Sequence, residues 1–432
     1  MNNKFTYDKF KIITLLIIMI GIPSIKLLSY ILYLFNVIEN SFIVNQVYVL
    51  WVMIPILLCT YLYGIIKKKD NINYLDYIMY FLIILAIIST IFAVRKDISL
   101  FGENTRYEGL LTLISYYLIF LNTKSINSEK DKKLLINVFL ILGIIQVIYS
   151  VIQIYTPLNI VKRFSVPYLA MGLCANPNFL GSYMAMLVIL VGYLYIKSNN
   201  KKYLLLAIIY NIGLVLAEST GPFLSIIITF IFIGFYLSKK EYTKRIVIIF
   251  ILLLCSFIFI NYTSMARAEK LFNVQIDFQY NIKQELDDLI KKLLHIDNKR
   301  IKIGQLGNNR MQIWRNLLPQ IRHYWAFGAG IDNIKYIYPS GSDFIVDKAH
   351  NVYLQILLTN GSFAIISYLG LCVIVFIKGF KLKNDTDIAL YMVFIVYSIQ
   401  AFLNISVIDV APYFYLFWGL LSSNFNKPLL EK

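Results

Sequence analysis

The sequence has few charged residues for its length. Asp, Glu, Lys and Arg make up 15% of the 432 residues, whereas an average soluble domain carries about 25%. Hydrophobic residues make up 59% of the chain and fall in blocks of roughly twenty, which is the length that crosses a bilayer core of about 30 Å. The composition therefore excludes an ordinary soluble domain and predicts an integral membrane protein.

Cysteine and histidine are also scarce. The four cysteines lie far apart, and no CxxC or Cys/His spacing typical of a zinc site is present. The three histidines are His295, His323 and His350. We therefore expect no disulfide framework, no metal and no cofactor.

The apolar blocks predict an all-α integral membrane protein with about twelve transmembrane helices. The N-terminal block is too long for a cleavable signal peptide, so we interpret it as the first span. The predicted spans are 12–35, 42–66, 74–94, 107–122, 134–155, 177–196, 203–218, 221–238, 246–262, 351–377, 387–406 and 410–424. They divide the chain into a helical region 1–262, a large loop 263–350 and a second helical region 351–432.

Lysine and arginine concentrate in every second connector, for example in 67–69, 130–133 and 239–245. Because cytoplasmic connectors carry the excess of Lys and Arg, both termini are predicted to be cytoplasmic and the loop 263–350 to lie outside. Most of the net charge of +17 is then a topology signal. We expect membrane lipid as a partner and no nucleic acid.

The large loop contains two stretches with helical periodicity. Residues 284–295 alternate leucines with charges and predict an amphipathic helix on the membrane or the bundle. Helical periodicity in residues 310–325 gathers the apolar side chains on one face of the helix. Arg310 falls within this apolar face, near Trp314. Arg310 could extend to lipid headgroups or pair with an acid. It could also hold an anionic substrate group such as phosphate. The face consists of Met311, Trp314, Leu317, Leu318, Ile321 and Trp325.

His350 stands directly before a predicted span, at the outer face. A helix N-terminus disfavours the imidazolium ion, and a neutral imidazole is the form that a general base requires. The alternative is that His350 and Asn351 form a helix cap. For His295 and His323, we expect solvated or interfacial positions.

Two further outer connectors carry polar groups at the same depth. Arg106 precedes the fourth span, and it is either a candidate ligand or an ordinary loop charge. Asn176, Pro177 and Asn178 begin the sixth span, where Asn and Pro are also usual as helix cap and first helical residue. The turn at 328–330 contains two glycines but follows no strand, so it is a weak candidate for a phosphate loop.

Taken in order, these motifs resemble the O-antigen ligase and polymerase family. The resemblance covers about 95–365. Its most specific part is the sequence Arg310 to Trp314, then Gly328-Ala329-Gly330, then His350-Asn351 and Asn360-Gly361. The pieces that resemble the early outer loop are 99–102 and 106–110, and 176–181 resembles the Asn-Pro-Asn motif. One departure is Thr220, which stands where many members carry an arginine.

The resemblance implies a metal-independent glycosyltransferase in the bacterial cytoplasmic (inner) membrane. Its donor would be a glycan on undecaprenyl diphosphate, and its acceptor a glycan, a lipid or a protein. The resemblance implies catalytic roles for Arg310 at the diphosphate and His350 at the acceptor hydroxyl. The candidate substrate-binding residues are Arg106, Trp314, Asn176, Asn178 and Asn351.

Two other classes of function compete with this interpretation. A flippase for lipid-linked glycans would carry polar residues along a central cavity. A non-catalytic component of polysaccharide export would tolerate loss of His350.

The charge pattern makes a direct prediction about topology. In a cysteine-free background, Asn298→Cys should react with an impermeant thiol reagent in intact cells, because its loop is predicted to lie outside. Ser128→Cys should react only after the cells are permeabilised. The opposite labelling pattern would invert the predicted orientation.

Overall fold

The computed structural model describes residues 2–35, 37, 45–104, 106–155, 169–174, 176–237, 240–272, 310–339 and 346–426. Every regular element in these ranges is a helix. The α-helices are α1 Asn2–Leu34, α2 Val47–Ile66, α3 Tyr74–Ile91, α4 Lys96–Phe101, α5 Leu110–Thr123, α6 Glu129–Tyr155, α7 Pro177–Ser198, α8 Lys201–Leu216, α9 Thr220–Leu237, α10 Lys240–Phe272, α11 Arg310–Leu317, α12 Ile321–Tyr324, α13 Ile334–Ile337, α14 Val352–Asn360, α15 Ser362–Gly379, α16 Asp385–Gln400 and α17 Ala411–Ser422.

Seven of these helices are long and apolar enough to cross a membrane, judged by length and composition within the described ranges: α1, α2, α3, α6, α7, α9 and α15. The all-helical membrane class predicted from the sequence is therefore confirmed. A count near twelve, and the placement of 263–350 on the outer side, remain predictions. The helix predicted at 284–295 and its His295 lie outside the described residues.

The tenth predicted span, 351–377, is wrong as a single helix. Gly361 separates α14 from α15 with a φ of +88°, a conformation that residues with a Cβ rarely adopt. A Cβ at this position would lie 2.1 Å from the Ala326 carbonyl oxygen. The chain therefore breaks here to let the segment before α13 approach the end of α14.

The centre of the bundle is α7, which packs against α8, α9 and α16 and is almost entirely buried. Charges that enter the bundle are paired. Lys132 Nζ lies 2.7 Å from Asp387 Oδ1, and Lys124 Nζ lies 2.5 Å from Asp76 Oδ2. Because an unpaired buried charge is costly, these pairs tie α6 to α16 and α3 to the end of α5.

The predicted amphipathic helix 310–325 is shorter than expected. α11 ends at Leu317, a 3-10 turn that contains Pro319 follows, and α12 begins at Ile321. Proline cannot donate the backbone hydrogen bond that would continue the helix.

The buried face of this segment also differs from the predicted apolar face. Met311, Leu318 and Trp325 are exposed, whereas Ile313 and Leu317 are buried. Ile313 and Leu317 join a small apolar cluster with Ala329, Ile334, Ile337, Val346, Ala349 and Leu358. This cluster joins α11 to α13 and α14.

Candidate functional site

The connector that precedes α5 docks on the segment around α13. The Arg95 N–H donates to Asn333 Oδ1 over 2.8 Å, and Asn333 Nδ2 donates back to the Arg95 carbonyl over 3.2 Å. The Ile331 N–H donates to Ser99 Oγ over 2.9 Å. Two segments more than 200 residues apart in the chain are thus held together, as expected if both lie at one face of the bundle.

The glycine pair at 328–330 forms a turn against the end of α14. The Ala329 N–H donates to the Leu358 carbonyl over 2.8 Å, and the Gly330 N–H donates to the Thr359 carbonyl over 3.1 Å. At Gly328, with φ of +77°, a Cβ would lie 2.2 Å from the Thr359 carbonyl. The N–H groups of 329 and 330 bind helix carbonyls, which supports a packing turn and not a phosphate loop.

The residues before and after His350, Ala349 and Asn351, are both held by hydrogen bonds. Trp314 Nε1 donates to the Ala349 carbonyl over 2.8 Å, and the Ala349 N–H donates to Gln355 Oε1 over 2.8 Å. Asn351 caps α14, because its Oδ1 accepts the Leu354 N–H over 3.0 Å. Trp314 and Asn351 therefore fix the backbone beside His350.

The backbone of His350 itself has a φ of +50°. Histidine is among the residues that adopt this left-handed region more readily than most. The sequence offered a helix cap as the alternative role of His350 and Asn351. Asn351 provides that cap, and His350 precedes it.

The imidazole of His350 lies in an electropositive setting. Burial and, to a smaller extent, the positive charges of Arg106 and Arg310 lower its pKa to about 4, whereas Asp347 opposes the shift. His350 is therefore neutral at pH 7. Arg106 and Arg310, each predicted separately from the sequence, are thus brought within electrostatic reach of His350.

Arg106 is held at one edge of its guanidinium group. Its Nη2 lies 2.9 Å from Asp347 Oδ2, and the group lies 5.9 Å from the centre of the Phe179 ring. Its buried Nη1 has no hydrogen-bond partner among the described residues. A buried donor without a partner is costly, so this nitrogen is suited to an anionic ligand.

Arg310 is half-buried at the start of α11. Burial lowers the pKa of its guanidinium group, and no described acid opposes that shift. The alternative in which Arg310 pairs with an acid finds no support in the described part of the chain. Arg106 and Arg310 thus make the surroundings of His350 positive.

The two asparagines at the start of α7 have structural contacts. Asn176 Oδ1 accepts the Asn178 N–H over 2.9 Å and caps the helix. Asn178 Oδ1 accepts from Ser219 Oγ over 2.8 Å, which ties α7 to the turn before α9. Their substrate-binding roles remain predictions. His323 is exposed, as expected, and accepts a hydrogen bond from Arg322 Nε over 3.0 Å.

A cavity of about 80 Å³ beside this site was not foreseen from the sequence. Glu108, Asp332, Lys348 and Gln355 line it together with tyrosines of the bundle. Lys348 and Asp332 form a buried ion pair. The described residues include no group of three His, Cys, Asp or Glu side chains arranged to hold a metal ion.

Glu108 lies in the loop before α5 and borders this cavity. Tyr116 Oη donates to both of its carboxylate oxygens, over 3.0 and 3.1 Å. Burial raises the pKa of Glu108 to about 8, although Lys348 and the Tyr116 hydroxyl oppose the shift. The available sequence signal was a lone acid at the edge of an apolar block, a position that suggests function in membrane proteins.

Helices of spanning length, with polar residues gathered at one end of the bundle, define the chain as an all-α polytopic membrane protein. Residues 203–369 match the family model described as O-antigen ligase. The match confirms the resemblance to the O-antigen ligase family and includes Arg310, Trp314, His350 and Asn351. The motifs at 99–110 and 176–181 lie outside the matched residues. No curated protein matches the chain.

The raised pKa of Glu108 predicts a specific pH dependence of stability. Between the usual value of 4.5 and about 8, the folded protein holds a proton that the unfolded chain releases. This contribution is complete below pH 4.5 and is lost as the pH rises through 8. In detergent, the Tm of the wild type should fall as the pH rises from about 6 to about 9, a range that spans the raised pKa of Glu108. Glu108→Gln should reduce that fall.

Glu103→Gln provides the matched control. Hydrogen bonding from Lys335 lowers the pKa of Glu103, so Glu103 is ionised throughout this pH range in both the folded and unfolded states. The variant should keep the wild-type slope. An unchanged slope in Glu108→Gln would show that Glu108 is not held protonated.

Proposed function

We propose that the protein is a membrane glycosyltransferase of the O-antigen ligase type. It transfers or polymerises a glycan from an undecaprenyl-diphosphate-linked donor onto an acceptor hydroxyl at the outer membrane face. The observation that carries the proposal is the neutral His350 beside two arginines, Arg106 and Arg310. The family match over 203–369 supports the glycan-handling class.

In the proposed reaction, the acceptor oxygen attacks the anomeric carbon of the donor sugar. The bond from that carbon to the diphosphate oxygen breaks, and the lipid diphosphate leaves with the electron pair. Arg106 Nη1 and the Arg310 guanidinium group are the donors that would stabilise the charge on the leaving group. Their planar donor geometry suits phosphate oxygens better than an ammonium group does.

His350 would take the proton from the acceptor hydroxyl as the new bond forms. The imidazole must be neutral before the reaction, and the burial that lowers its pKa keeps it so. Once the imidazole is charged, the adjacent diphosphate would stabilise it, which offsets the repulsion from the two arginines.

Trp314 and Asn351 contribute to this site through the backbone. Both hold residues that flank His350, which fixes the direction of the imidazole. The precision of such placement contributes strongly to enzymatic rates. The aromatic face of Trp314 could in addition contact a sugar, as predicted from the resemblance.

The first test separates an enzyme from a flippase or an accessory export component. His350→Gln should lower glycan transfer by about 10²–10⁴, the usual effect of removing a general base, while donor binding stays near normal. Transfer is measured by mass spectrometry of the products formed by purified protein from a lipid-linked glycan. His323→Gln is the control and should transfer normally. A wild-type rate in His350→Gln would remove proton transfer from its role.

The second test separates the charge of Arg310 from its geometry. Arg310→Lys keeps the positive charge but loses the planar fork, so transfer should fall strongly while the pKa of His350 stays low. Arg310→Gln removes the charge, and the pKa of His350 should rise from about 4, because the imidazolium ion is less repelled.

The pKa of His350 is measured by NMR titration with labelled histidine, and His350→Gln assigns the signal. Arg322→Gln is the control, because Arg322 contacts the exposed His323. This substitution should leave the pKa of His350 unchanged. Normal transfer by Arg310→Lys would remove Arg310 from the diphosphate site. An unchanged titration in Arg310→Gln would show that the two side chains are not coupled.

A further inference from the structure

Four exposed aromatic side chains form a continuous row on the outside of the bundle. The Phe92 ring stacks on that of Phe327 with 6.1 Å between their centres, and the Phe327 ring lies 6.1 Å from that of Phe363. The Trp325 ring follows at 6.3 Å from Phe363. All four side chains are exposed, although phenylalanine and tryptophan are usually among the more buried residues. A contiguous apolar surface of this kind marks a site of contact with a partner or a membrane.

The row joins three separate segments of the chain. Phe92 follows the last residue of α3, and Phe363 lies in the first turn of α15. The segment 325–327 lies beside the start of α15, because the Ser362 N–H donates to the Trp325 carbonyl oxygen over 2.6 Å. The backbone of all three segments thus takes part in the fold, and the row is a fixed feature of the surface.

The row stands at one end of two helices that face outward from the bundle. Helices α3 and α15 pack against each other, and both are long and apolar enough to cross a membrane. Only 39% of the spanning stretch of α3 and 33% of that of α15 are buried, against 94% for α7, so both helices lie at the edge of the bundle. Exposed apolar residues recur on each helix at the spacing of one helical face. They are Ile84, Ile87 and Ile91 on α3, and Ile366, Leu369 and Val373 on α15.

The chain becomes charged on the other side of the row. Arg95 follows Phe92 closely in the chain, Arg322 precedes Trp325, and both arginines are exposed. The Arg95 guanidinium group lies 5.3 Å from the centre of the Tyr336 ring, beyond the end of α3. The row therefore marks the boundary between an outward-facing apolar surface and a charged one. Tryptophan is enriched at such a boundary in membrane proteins, because its ring is apolar while its indole N–H can donate to water or lipid oxygens.

We propose that the aromatic row docks on the lipid bilayer, at the boundary between acyl chains and headgroups on the side predicted to be extracytoplasmic. The phenylalanine rings continue the hydrocarbon-facing surfaces of α3 and α15, and Trp325 lies at the level of the headgroups. Part of the region 263–350, which the sequence predicts to be an outer loop, is thereby bound to the membrane surface. The proposal does not depend on the proposed glycosyltransferase activity.

Docking of the row also sets the height of the candidate site above the bilayer. The glycine turn 328–330 follows Phe327 directly and binds the last carbonyls of α14, while His350 precedes the first turn of the same helix. This nine-residue helix is about 14 Å long at 1.5 Å per residue. The anchored turn and His350 are thus linked by one short helix, so the imidazole is held at a fixed level relative to the lipid headgroups.

The first test is quenching of tryptophan fluorescence in the full chain, reconstituted into phosphatidylcholine whose acyl chains carry bromine. The emission of Trp325 is the difference between the wild type and Trp325→Phe. Trp325 should lose most of its emission to bromine near the headgroup end of the chain and less to bromine near the methyl end. Iodide in the aqueous phase should quench it weakly.

Trp418 provides the matched control, because its side chain is buried inside the bundle. The emission lost in Trp418→Phe should be insensitive to both brominated lipids and to iodide. Quenching of Trp325 by iodide alone would show that the row faces water. Quenching by neither agent would show that protein, such as a second copy of this chain, covers the row. Either result would overturn the proposal.

The second test measures depth at the ends of the row. Nitroxide labels are placed at Phe92→Cys or Phe363→Cys in a background where Cys174, which is buried, is the only native cysteine retained. Labels at Arg95→Cys and Arg322→Cys serve as controls. In liposomes, the labels in the row should collide more often with oxygen than with a water-soluble nickel chelate, and the controls should show the reverse. Equal access of the nickel chelate to all four positions would place the row in water and contradict the proposal.

Discussion

The candidate site depends on one backbone contact, between the turn at 328–330 and the last carbonyls of α14. The contact requires that the helix end at Gly361 and that Gly328 have no side chain, because a Cβ at either position would collide with backbone atoms. Once the turn is docked, the Val94 N–H reaches the Ala329 carbonyl over 2.9 Å, and the connector before α5 follows. Arg106 is thereby carried toward His350, so the glycines position the charged residues without touching a ligand.

The sequence predicted the parts of this arrangement that depend on composition and local pattern. Apolar blocks predicted the spanning helices, and Asn176 and Asn351 stood where helix caps occur. It did not predict that Met311 is exposed and Ile313 buried in α11, because burial there depends on which distant segments pack against the helix. The role of Trp314 as a donor to the Ala349 carbonyl was also hidden, since it depends on where two distant segments meet.

The charges in the described bundle fall into two groups that obey different constraints. Inside the helices, lysines such as Lys132 are matched with acids such as Asp387, because the low dielectric makes an unpaired charge costly. Around His350, Arg310 has no described acid beside it, and Arg106 shares one edge with Asp347. The pairing that stabilises the bundle is thus incomplete at the site, which is the pattern expected where a ligand supplies the missing negative charge.

Desolvation has opposite consequences for the His350 imidazole and for the Glu108 carboxyl of the adjoining cavity, and both favour neutrality. It raises the pKa of the Glu108 carboxyl to about 8 and lowers that of the His350 imidazole to about 4, because burial disfavours whichever form is charged. At pH 7 the acid keeps its proton and the base lacks one. The two arginines outweigh the single carboxylate of Asp347 near His350, while Asp332 and Lys348 cancel each other. An arriving anion therefore meets positive charge without competition from Glu108, and a neutral imidazole remains available to accept a proton.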